Sequence, residues 1–225
     1  MSSAHNPIVF PLDVASIDDA REWVRRLSDE VGVFKVGLEL FCAAGPEAVR
    51  AIADAGAAGV FLDAKLHDIP ATVEGAAREA CSAGVRMITA HCQGGVEMLR
   101  AAVRGAGDDV CVLGVTRLTS LPASQDEVTQ AALQALEAGC GGIVCSPREA
   151  AAVREAVGPK LQIVCPGVRP AGSDAGDQVR VMTPGDAIRA GADWLVIGRP
   201  IRNAADPLAA VRAIREEIAS ARGTQ

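Results

Sequence analysis

The chain has 225 residues, of which 49% are hydrophobic and 22% charged, and its formal net charge is −6 at pH 7. These fractions exclude a disordered chain, and the acidic balance with 3% aromatic residues argues against a surface that binds nucleic acid or an anionic membrane. No apolar run reaches the roughly 18 residues that a membrane helix needs, and the first ten residues lack the basic segment of a secretory signal, so we expect a cytoplasmic protein.

One local pattern recurs along the chain: a helix-like stretch ends at a glycine, and a short apolar run follows. A glycine just past the last turn ends a helix, and a short apolar run is typical of a parallel strand buried on both faces. In chain order, the predicted strands are Ile8–Leu12, Val33–Val36, Val60–Leu62, Val85–Ile88, Val110–Leu113, Gly142–Val144, Leu161–Val164 and Trp194–Ile197. The predicted helices are Ser16–Glu30, Pro46–Ala55, Pro70–Ser82, Gly94–Arg104, Gln125–Ala138, Pro147–Val157, Thr183–Ala190 and Pro207–Ala221.

Eight strands that alternate with eight helices predict a closed (β/α)8 barrel, the TIM-barrel form of the α/β class, with residues 1–225 as a single domain. The alternative is a doubly wound open sheet, which usually has about five or six strands. Ser16 at a predicted helix start suits the capping position. Four predicted helices begin with a proline, which the first turn tolerates: Pro46, Pro70, Pro147 and Pro207.

The cysteines and histidines do not form a metal-binding pattern. The seven cysteines include no Cys-x-x-Cys pair, and most lie in apolar surroundings, so we expect them to be reduced and buried. None of the three histidines is spaced with a second histidine or a cysteine as zinc sites require, and no metal site is expected. We interpret His91 as a structural hydrogen-bonding residue and His67 as an exposed loop residue.

Charged residues stand at the ends of the second and third predicted strands, where (β/α)8 barrels carry their chemistry. Asp63 and Lys65 are two residues apart, so a regular strand directs both to the barrel interior, where charge is unfavourable unless paired. Lys35 interrupts an otherwise apolar strand, and Asp68 follows on the loop. The pattern predicts an alternating cluster of two carboxylates and two ammonium groups. The alternative is a set of rim salt bridges that orient loops.

A second signal lies at the ends of the last two strands. Gly198 and Arg199 follow the eighth strand, where backbone N–H groups and a guanidinium hold phosphate in many barrels. The stretch from Pro166 to Gln178 is long and rich in Gly, Pro, Ser and Asp, which favours a lid that closes over a phosphate through Arg169 and Gln178. The alternative is a surface loop without function.

These motifs together resemble the orotidine 5′-phosphate decarboxylase family. The most specific segment is Phe61–Val73, which is similar to that family's D-x-K-x-x-D-I-P-x-T signature. Further matches in order and spacing are Phe34-Lys35-Val36-Gly37, Leu118-Thr119-Ser120, Pro166-Gly167-Val168-Arg169-Pro170, Gln178 and Gly198-Arg199-Pro200-Ile201. The resemblance covers nearly the whole chain, from Val9 onwards.

The resemblance implies an activity and a set of site residues. The activity is the decarboxylation of orotidine 5′-monophosphate to uridine 5′-monophosphate, the last step of de novo pyrimidine nucleotide synthesis, without a metal or organic cofactor. Lys35, Asp63, Lys65 and Asp68 match the family's charged tetrad, and Lys65 matches the lysine that protonates C6 of the pyrimidine. The implied substrate contacts are Asp13 and Lys35 for the ribose hydroxyls, Thr119 for the pyrimidine, and Gln178, Gly198, Arg199 and Arg169 for the phosphate.

The resemblance also implies a homodimer with two shared sites. In that family the residues equivalent to Asp68, Ile69 and Thr72 reach into the neighbouring subunit's site. Other functions stay open on the residues alone. They are a magnesium-dependent sugar-phosphate decarboxylase or aldolase-like enzyme of the same superfamily, a class I aldolase in which Lys65 forms a Schiff base, and a non-enzymatic phosphate-binding barrel.

Overall fold

The computed structural model describes residues 6–119, 121–170 and 182–223. Its strands are β1 (Ile8–Pro11), β2 (Val33–Val36), β3 (Val60–Leu66), β4 (Met87–His91), β5 (Cys111–Val115), β6 (Gly142–Val144), β7 (Gln162–Pro166) and β8 (Trp194–Val196). Its helices are α1 (Ile17–Leu27), α2 (Leu38–Ala44), α3 (Pro46–Asp54), α4 (Pro70–Ser82), α5 (Gly95–Ala106), α6 (Gln125–Glu137), α7 (Ala150–Val157), α8 (Pro184–Arg189), α9 (Arg199–Arg202) and α10 (Pro207–Arg222).

The eight strands are parallel and close into a barrel in chain order. The closing contact is between β1 and β8, where Ile8 pairs with Leu195 and Val9 with Val196. Every strand therefore has two neighbours, and the sheet leaves no open edge. The predicted (β/α)8 barrel is confirmed, and the doubly wound open sheet is excluded.

Local capping explains where several helices begin. The Ser16 side chain accepts a hydrogen bond from the Asp19 N–H at 3.0 Å, as its position before α1 predicts. The prediction for Pro147 is wrong, since α7 begins only at Ala150. The Glu149 carboxylate accepts the Ser146 N–H at 2.9 Å and holds residues 146–149 in a turn, which delays the regular helix.

Four of the eight strands, β3, β4, β5 and β7, extend further towards the mouth of the barrel than the apolar runs predict. Strand β3 was expected to end at Leu62 but continues to Leu66, and β4 continues to His91. Polar residues end the apolar run there without ending the backbone pairing. Helices α2 and α9 were not predicted, because α2 buries only Leu40 and α9 only Ile201, so neither has an apolar stripe that marks it.

A layer of apolar side chains fills the barrel interior and forms the floor beneath the mouth. Its buried members are Val9, Val33, Phe61, Met87, Leu113, Val164 and Trp194. Side chains two residues further along a strand lie on the same face, one layer nearer the mouth. Lys35 follows Val33 and Asp63 follows Phe61 in this way, so strand alternation directs both into the barrel above the apolar floor.

The cysteine prediction holds for most but not all of the thiols. All seven are free, and Cys92, Cys140, Cys145 and Cys165 are buried. Cys42 is exposed, because it lies on the outer face of the short helix α2. In the part of the chain that the structure describes, no helix is both long enough and apolar enough to cross a membrane.

Candidate active site

The mouth of the barrel holds two adjoining cavities that share Lys35 and Val196 as wall residues. The first has a volume of about 150 Å³ and is lined by Lys35, Phe61, Asp63, Lys65, Val115, Arg117, Leu118, Thr119, Val144, Val164, Pro166 and Val196. The second, also about 150 Å³, is lined by Pro11, Asp13, Lys35, Gly167, Val168, Arg169, Val196, Gly198, Arg199 and Pro200. One cavity is mostly apolar around a charged cluster, and the other carries two guanidinium groups.

Three of the four predicted cluster residues meet in the first cavity. The Lys65 ammonium lies 2.7 Å from the Asp63 carboxylate, and the Lys35 ammonium lies 3.6 Å from the same oxygen. Lys35 also lies 3.7 Å from a carboxylate oxygen of Asp13. The side chains of Lys35 and Asp63 are only 12% and 15% exposed, so this is a partly desolvated network. The chain has three lysines, and two of them meet here.

An irregularity in β3 brings Lys65 into contact with Asp63. Leu62 pairs with Ile88 on β4, and Leu66 pairs with Ala90. Between these two pairs the chain advances four residues along β3 but only two along β4. Within this bulge Lys65 has φ of +51°, the one non-glycine residue with positive φ in the described chain. Asp63 and Lys65 are therefore close, as predicted, but they lie within a bulge that adds two residues to β3 and not on a regular strand.

The bulge is held by a residue that the sequence analysis did not single out. The Lys65 backbone N–H donates to the Thr89 hydroxyl at 2.8 Å, and that hydroxyl donates to the other carboxylate oxygen of Asp63 at 3.0 Å. Thr89 is fully buried. A polar residue inside the apolar strand Met87-Ile88-Thr89-Ala90 was the available signal.

The surroundings of Asp63 keep its carboxylate ionised. Burial alone would raise the pKa of Asp63. The positive charges of Lys35 and Lys65, with hydrogen bonds from Lys65 and Thr89, outweigh burial and hold that pKa below its ordinary value. The cluster therefore contains a fixed negative charge between two ammonium groups at neutral pH.

Asp68 does not join the cluster within this chain. Its carboxylate accepts the N–H of the next residue, Ile69, at 2.7 Å, and among the described residues it forms no ion pair with either lysine. Within one chain, three of the four predicted charged residues therefore meet, and Asp68 lies apart on the exposed loop that leads into α4. Ile69 is 66% exposed, and Thr72 in the first turn of α4 is also exposed.

The second cavity contains the residues predicted for phosphate. Arg169 is buried and Arg199 half-buried, and both line the cavity with Gly198 between β8 and α9. A Cβ atom at Gly198 would lie 2.7 Å from the Pro11 ring, so glycine is required for the close approach of β8 to β1. The Asp13 carbonyl accepts a hydrogen bond from Arg202 at 2.8 Å, which ties the loop after β1 to α9.

The remaining predicted residues are Thr119, Gln178 and the two histidines near the mouth of the barrel. Thr119 lines the first cavity, as does Arg117, which was not assigned a role. Gln178 lies outside the described residues. His67 is exposed, as predicted, and its ring packs against that of His91 at a centroid separation of 5.4 Å. Burial, followed by the charges of His67 and Lys65, lowers the pKa of His91.

The acidic, histidine and cysteine side chains are spread apart in the structure. Within residues 6–119, 121–170 and 182–223, no three of them come close enough together to hold a metal ion. The carboxylates that do approach each other at the mouth are bridged by Lys35.

Comparisons with known proteins agree on one family over almost the whole chain. Residues 6–214 match the model of the family described as orotidine 5′-phosphate decarboxylase / HUMPS. Orotidine 5′-phosphate decarboxylase of Anaeromyxobacter sp. (strain K) is 56% identical over 218 residues, which cover 92% of this chain and 96% of that protein. The enzyme of the same name from Moorella thermoacetica is 48% identical over 235 residues, with 96% and 93% covered.

A solved structure shows the same relationship in three dimensions. The crystal structure of orotidine 5′-phosphate decarboxylase from Lactobacillus acidophilus is similar to this chain with a TM-score of 0.83 and 32% sequence identity. The match covers 95% of this chain and 99% of that one.

Proposed function

The chain belongs to the orotidine 5′-phosphate decarboxylase / HUMPS family, and on this premise we propose that it converts orotidine 5′-monophosphate to uridine 5′-monophosphate and CO2. The family match confirms the resemblance that the sequence motifs indicate. The reaction is the last step of de novo pyrimidine nucleotide synthesis. The observation that carries the proposal is the contact of both lysines with Asp63 in a cavity whose other walls are mostly apolar.

The chemistry needs a positive charge beside C6 of the pyrimidine ring. When the C6–carboxylate bond breaks, its electron pair stays on C6 as a carbanion that the ring relieves little, and CO2 departs. The Lys65 ammonium stabilises this charge as it forms and then transfers a proton to C6, which gives the product and a neutral amine that regains a proton from solvent. Lys65 is 31% exposed, so solvent reaches its amine.

Asp63 has two roles in this proposal. It holds the Lys65 and Lys35 ammonium groups in place through its contacts at 2.7 and 3.6 Å. It also faces the substrate carboxylate, and two like charges about 4 Å apart repel by about 4 kcal/mol at an effective dielectric near 20. This repulsion disappears as CO2 leaves, so it destabilises the bound substrate more than the transition state. We assign it a supporting role in catalysis.

The second cavity accounts for the phosphate and ribose of the substrate. We propose that Arg199, Arg169 and the Gly198 N–H bind the phosphate, with Gln178 from the predicted lid, and that Asp13 and Lys35 bind the ribose hydroxyls. Thr119 contacts the pyrimidine. Phosphate binding is remote from C6, but its energy holds the reacting carboxylate in place against Asp63.

We expect Arg199→Ala to weaken substrate binding more than catalysis. An arginine–phosphate hydrogen bond lost from a half-buried site corresponds to a rise in KM of about 10- to 100-fold. Steady-state kinetics measure it, and Arg189→Ala, which removes an exposed guanidinium at the opposite end of the barrel, should leave KM unchanged. An unchanged KM in the Arg199 variant would contradict the assignment.

A magnesium-dependent enzyme acting on a sugar phosphate is the alternative, and it is not favoured, because relatives at 48% and 56% identity are named orotidine 5′-phosphate decarboxylase. The test is a spectrophotometric assay of the purified protein with orotidine 5′-monophosphate in the presence of EDTA. Turnover that EDTA does not affect supports the proposal. Turnover that EDTA abolishes, or a borohydride-trapped adduct on Lys65, would favour the alternatives.

We also propose a homodimer in which each subunit completes the other's site. Asp68, Ile69 and Thr72 are exposed on the loop and first turn that follow β3, close in sequence to the cluster, and among the described residues Asp68 forms no ion pair with its lysines. A side chain as apolar as Ile69 at 66% exposure suits a contact with a second copy. In the dimer, Asp68 of one subunit supplies the fourth charge of its neighbour's cluster.

Mixing two inactive variants tests this sharing. Lys65→Ala and Asp68→Ala protomers, refolded together, form mixed dimers in which one of the two sites carries no substitution. Random pairing therefore restores about a quarter of wild-type activity. Activity no greater than the sum of the two separate variants would contradict shared sites.

The last part of the proposal concerns domain organisation, location in the cell and partners. We propose that residues 1–225 act as one domain in the cytoplasm, on a small-molecule substrate, with no nucleic acid or membrane partner. The net charge of −6 supports this, since it repels polyanions. Cell fractionation with an antibody to the chain checks it, and recovery in the membrane fraction would contradict it.

A further inference from the structure

Thr89 lies in the same inward-facing layer as the charged cluster. On β4, Met87 belongs to the apolar floor of the barrel, while Ile88 and Ala90 pack outwards against the helices. Alternation along the strand therefore directs the Thr89 side chain inwards, one layer above the floor and level with Asp63. The residue is 0% exposed.

The hydroxyl of Thr89 joins two groups of the cluster that strand pairing leaves apart. It accepts the Lys65 N–H at 2.8 Å, and because that group can only donate, the hydroxyl proton is directed to the Asp63 carboxylate at 3.0 Å. The two oxygens of Asp63 thus have different partners, one bound by the Lys65 ammonium at 2.7 Å and the other by Thr89. This arrangement fixes the plane of the carboxylate.

The hydrogen bond from the Lys65 N–H to Thr89 matters because Lys65 lies in the irregular part of β3. Regular pairing between β3 and β4 stops at Leu62 and resumes at Leu66, and Lys65 between them has φ of +51°. A non-glycine residue in this region is held there only when its surroundings supply compensating contacts. The Thr89 hydroxyl supplies one, in place of a strand–strand hydrogen bond.

We infer that Thr89 is a positioning residue for the decarboxylation: its hydroxyl sets the side-chain orientation of Asp63 and the backbone of Lys65, and so places the ammonium group at C6. The inference rests on the proposed function. Thr89 itself does not line the substrate cavity, so it acts through its two neighbours. Its loss should therefore lower kcat and leave KM nearly unchanged.

The experiment compares four variants with wild type by steady-state kinetics, circular dichroism and thermal unfolding. Thr89→Val keeps the branched shape and removes both hydrogen bonds, and Thr89→Ala does so without placing a methyl group against the carboxylate. Thr89→Ser keeps the hydroxyl. Thr116→Val is the matched control, because Thr116 is also buried at the end of a neighbouring strand and donates to the Val144 carbonyl at 3.0 Å instead.

We expect Thr89→Val and Thr89→Ala to lower kcat by about 10- to 100-fold, the loss typical of a hydrogen bond to a charged group, with KM within about threefold of wild type. Thr89→Ser and Thr116→Val should keep kcat within about threefold, even where Thr116→Val lowers the unfolding temperature. If Thr89→Val does not fold, Thr89→Ala decides the result.

Two results would overturn the inference while leaving the proposed function intact. The first is an active wild type together with a Thr89→Ala or Thr89→Val variant whose kcat is no lower than that of Thr116→Val. The other is a Thr89→Ser variant as slow as Thr89→Ala. A wild type without turnover on orotidine 5′-monophosphate would instead overturn the proposed function, and the role of Thr89 in it.

Discussion

Replacing Lys65 with alanine is expected to lower kcat by at least about 10⁴-fold, because one group supplies both the stabilising charge and the proton. Lys65 is the cluster's closest ammonium to Asp63, at 2.7 Å. Alanine and lysine meet similar steric restrictions at positive φ, so the substitution leaves the backbone of the bulge as it is. Turnover of orotidine 5′-monophosphate measures the effect, and affinity for uridine 5′-monophosphate should change much less.

The chain offers a matched control for this variant. Lys160, the third lysine of the sequence, is exposed in the short turn before β7, at the end of the barrel away from the cluster. Lys160→Ala should have wild-type kcat and KM. A folded Lys65→Ala protein with wild-type turnover would show that the proton comes from elsewhere.

Replacing Asp63 with asparagine is expected to lower kcat by about 10²- to 10³-fold. The amide has nearly the same shape, but it leaves the Lys35 and Lys65 ammonium groups in a partly buried site without their shared anion. It also removes the repulsion of the substrate carboxylate. The expected signature is therefore a fall in kcat without a rise in KM.

A second Asp→Asn variant separates the effect of the cluster from the effect of losing an ion pair. Asp186 forms a comparable contact with Arg189, 2.6 Å long, on the outer surface of α8. Asp186→Asn should keep wild-type kinetics. If Asp63→Asn loses activity only through a higher KM, Asp63 is a binding residue and the proposed destabilisation of the bound substrate is wrong.

Local pattern accounts for most of the scaffold. The recurring glycine followed by an apolar run located seven of the eight strands, and the apolar run alone located β1, because these strands are largely buried on both faces. Alternation then directs Lys35 and Asp63 above the apolar floor. These features depend on residues that are close together in the sequence, so they can be predicted from it.

Features that depend on pairing between distant residues were not predictable in the same way. The bulge at Lys65 is a mismatch between β3 and β4, and only the register of the two strands reveals it. The role of Thr89 follows from that mismatch. Asp68 is a second example: it follows Lys65 by three residues, but it lies on the exposed loop after β3, where its carboxylate accepts the Ile69 N–H.

The most direct test of the account is the exchange of the C6 hydrogen of uridine 5′-monophosphate with solvent deuterium, followed by proton NMR. By microscopic reversibility, a site that stabilises and protonates a C6 carbanion also removes that proton from the product. The account predicts exchange in the presence of wild-type protein that exceeds the protein-free rate, and no such excess with Lys65→Ala. Exchange by Lys65→Ala at the wild-type rate, or none by an active wild type, would contradict it.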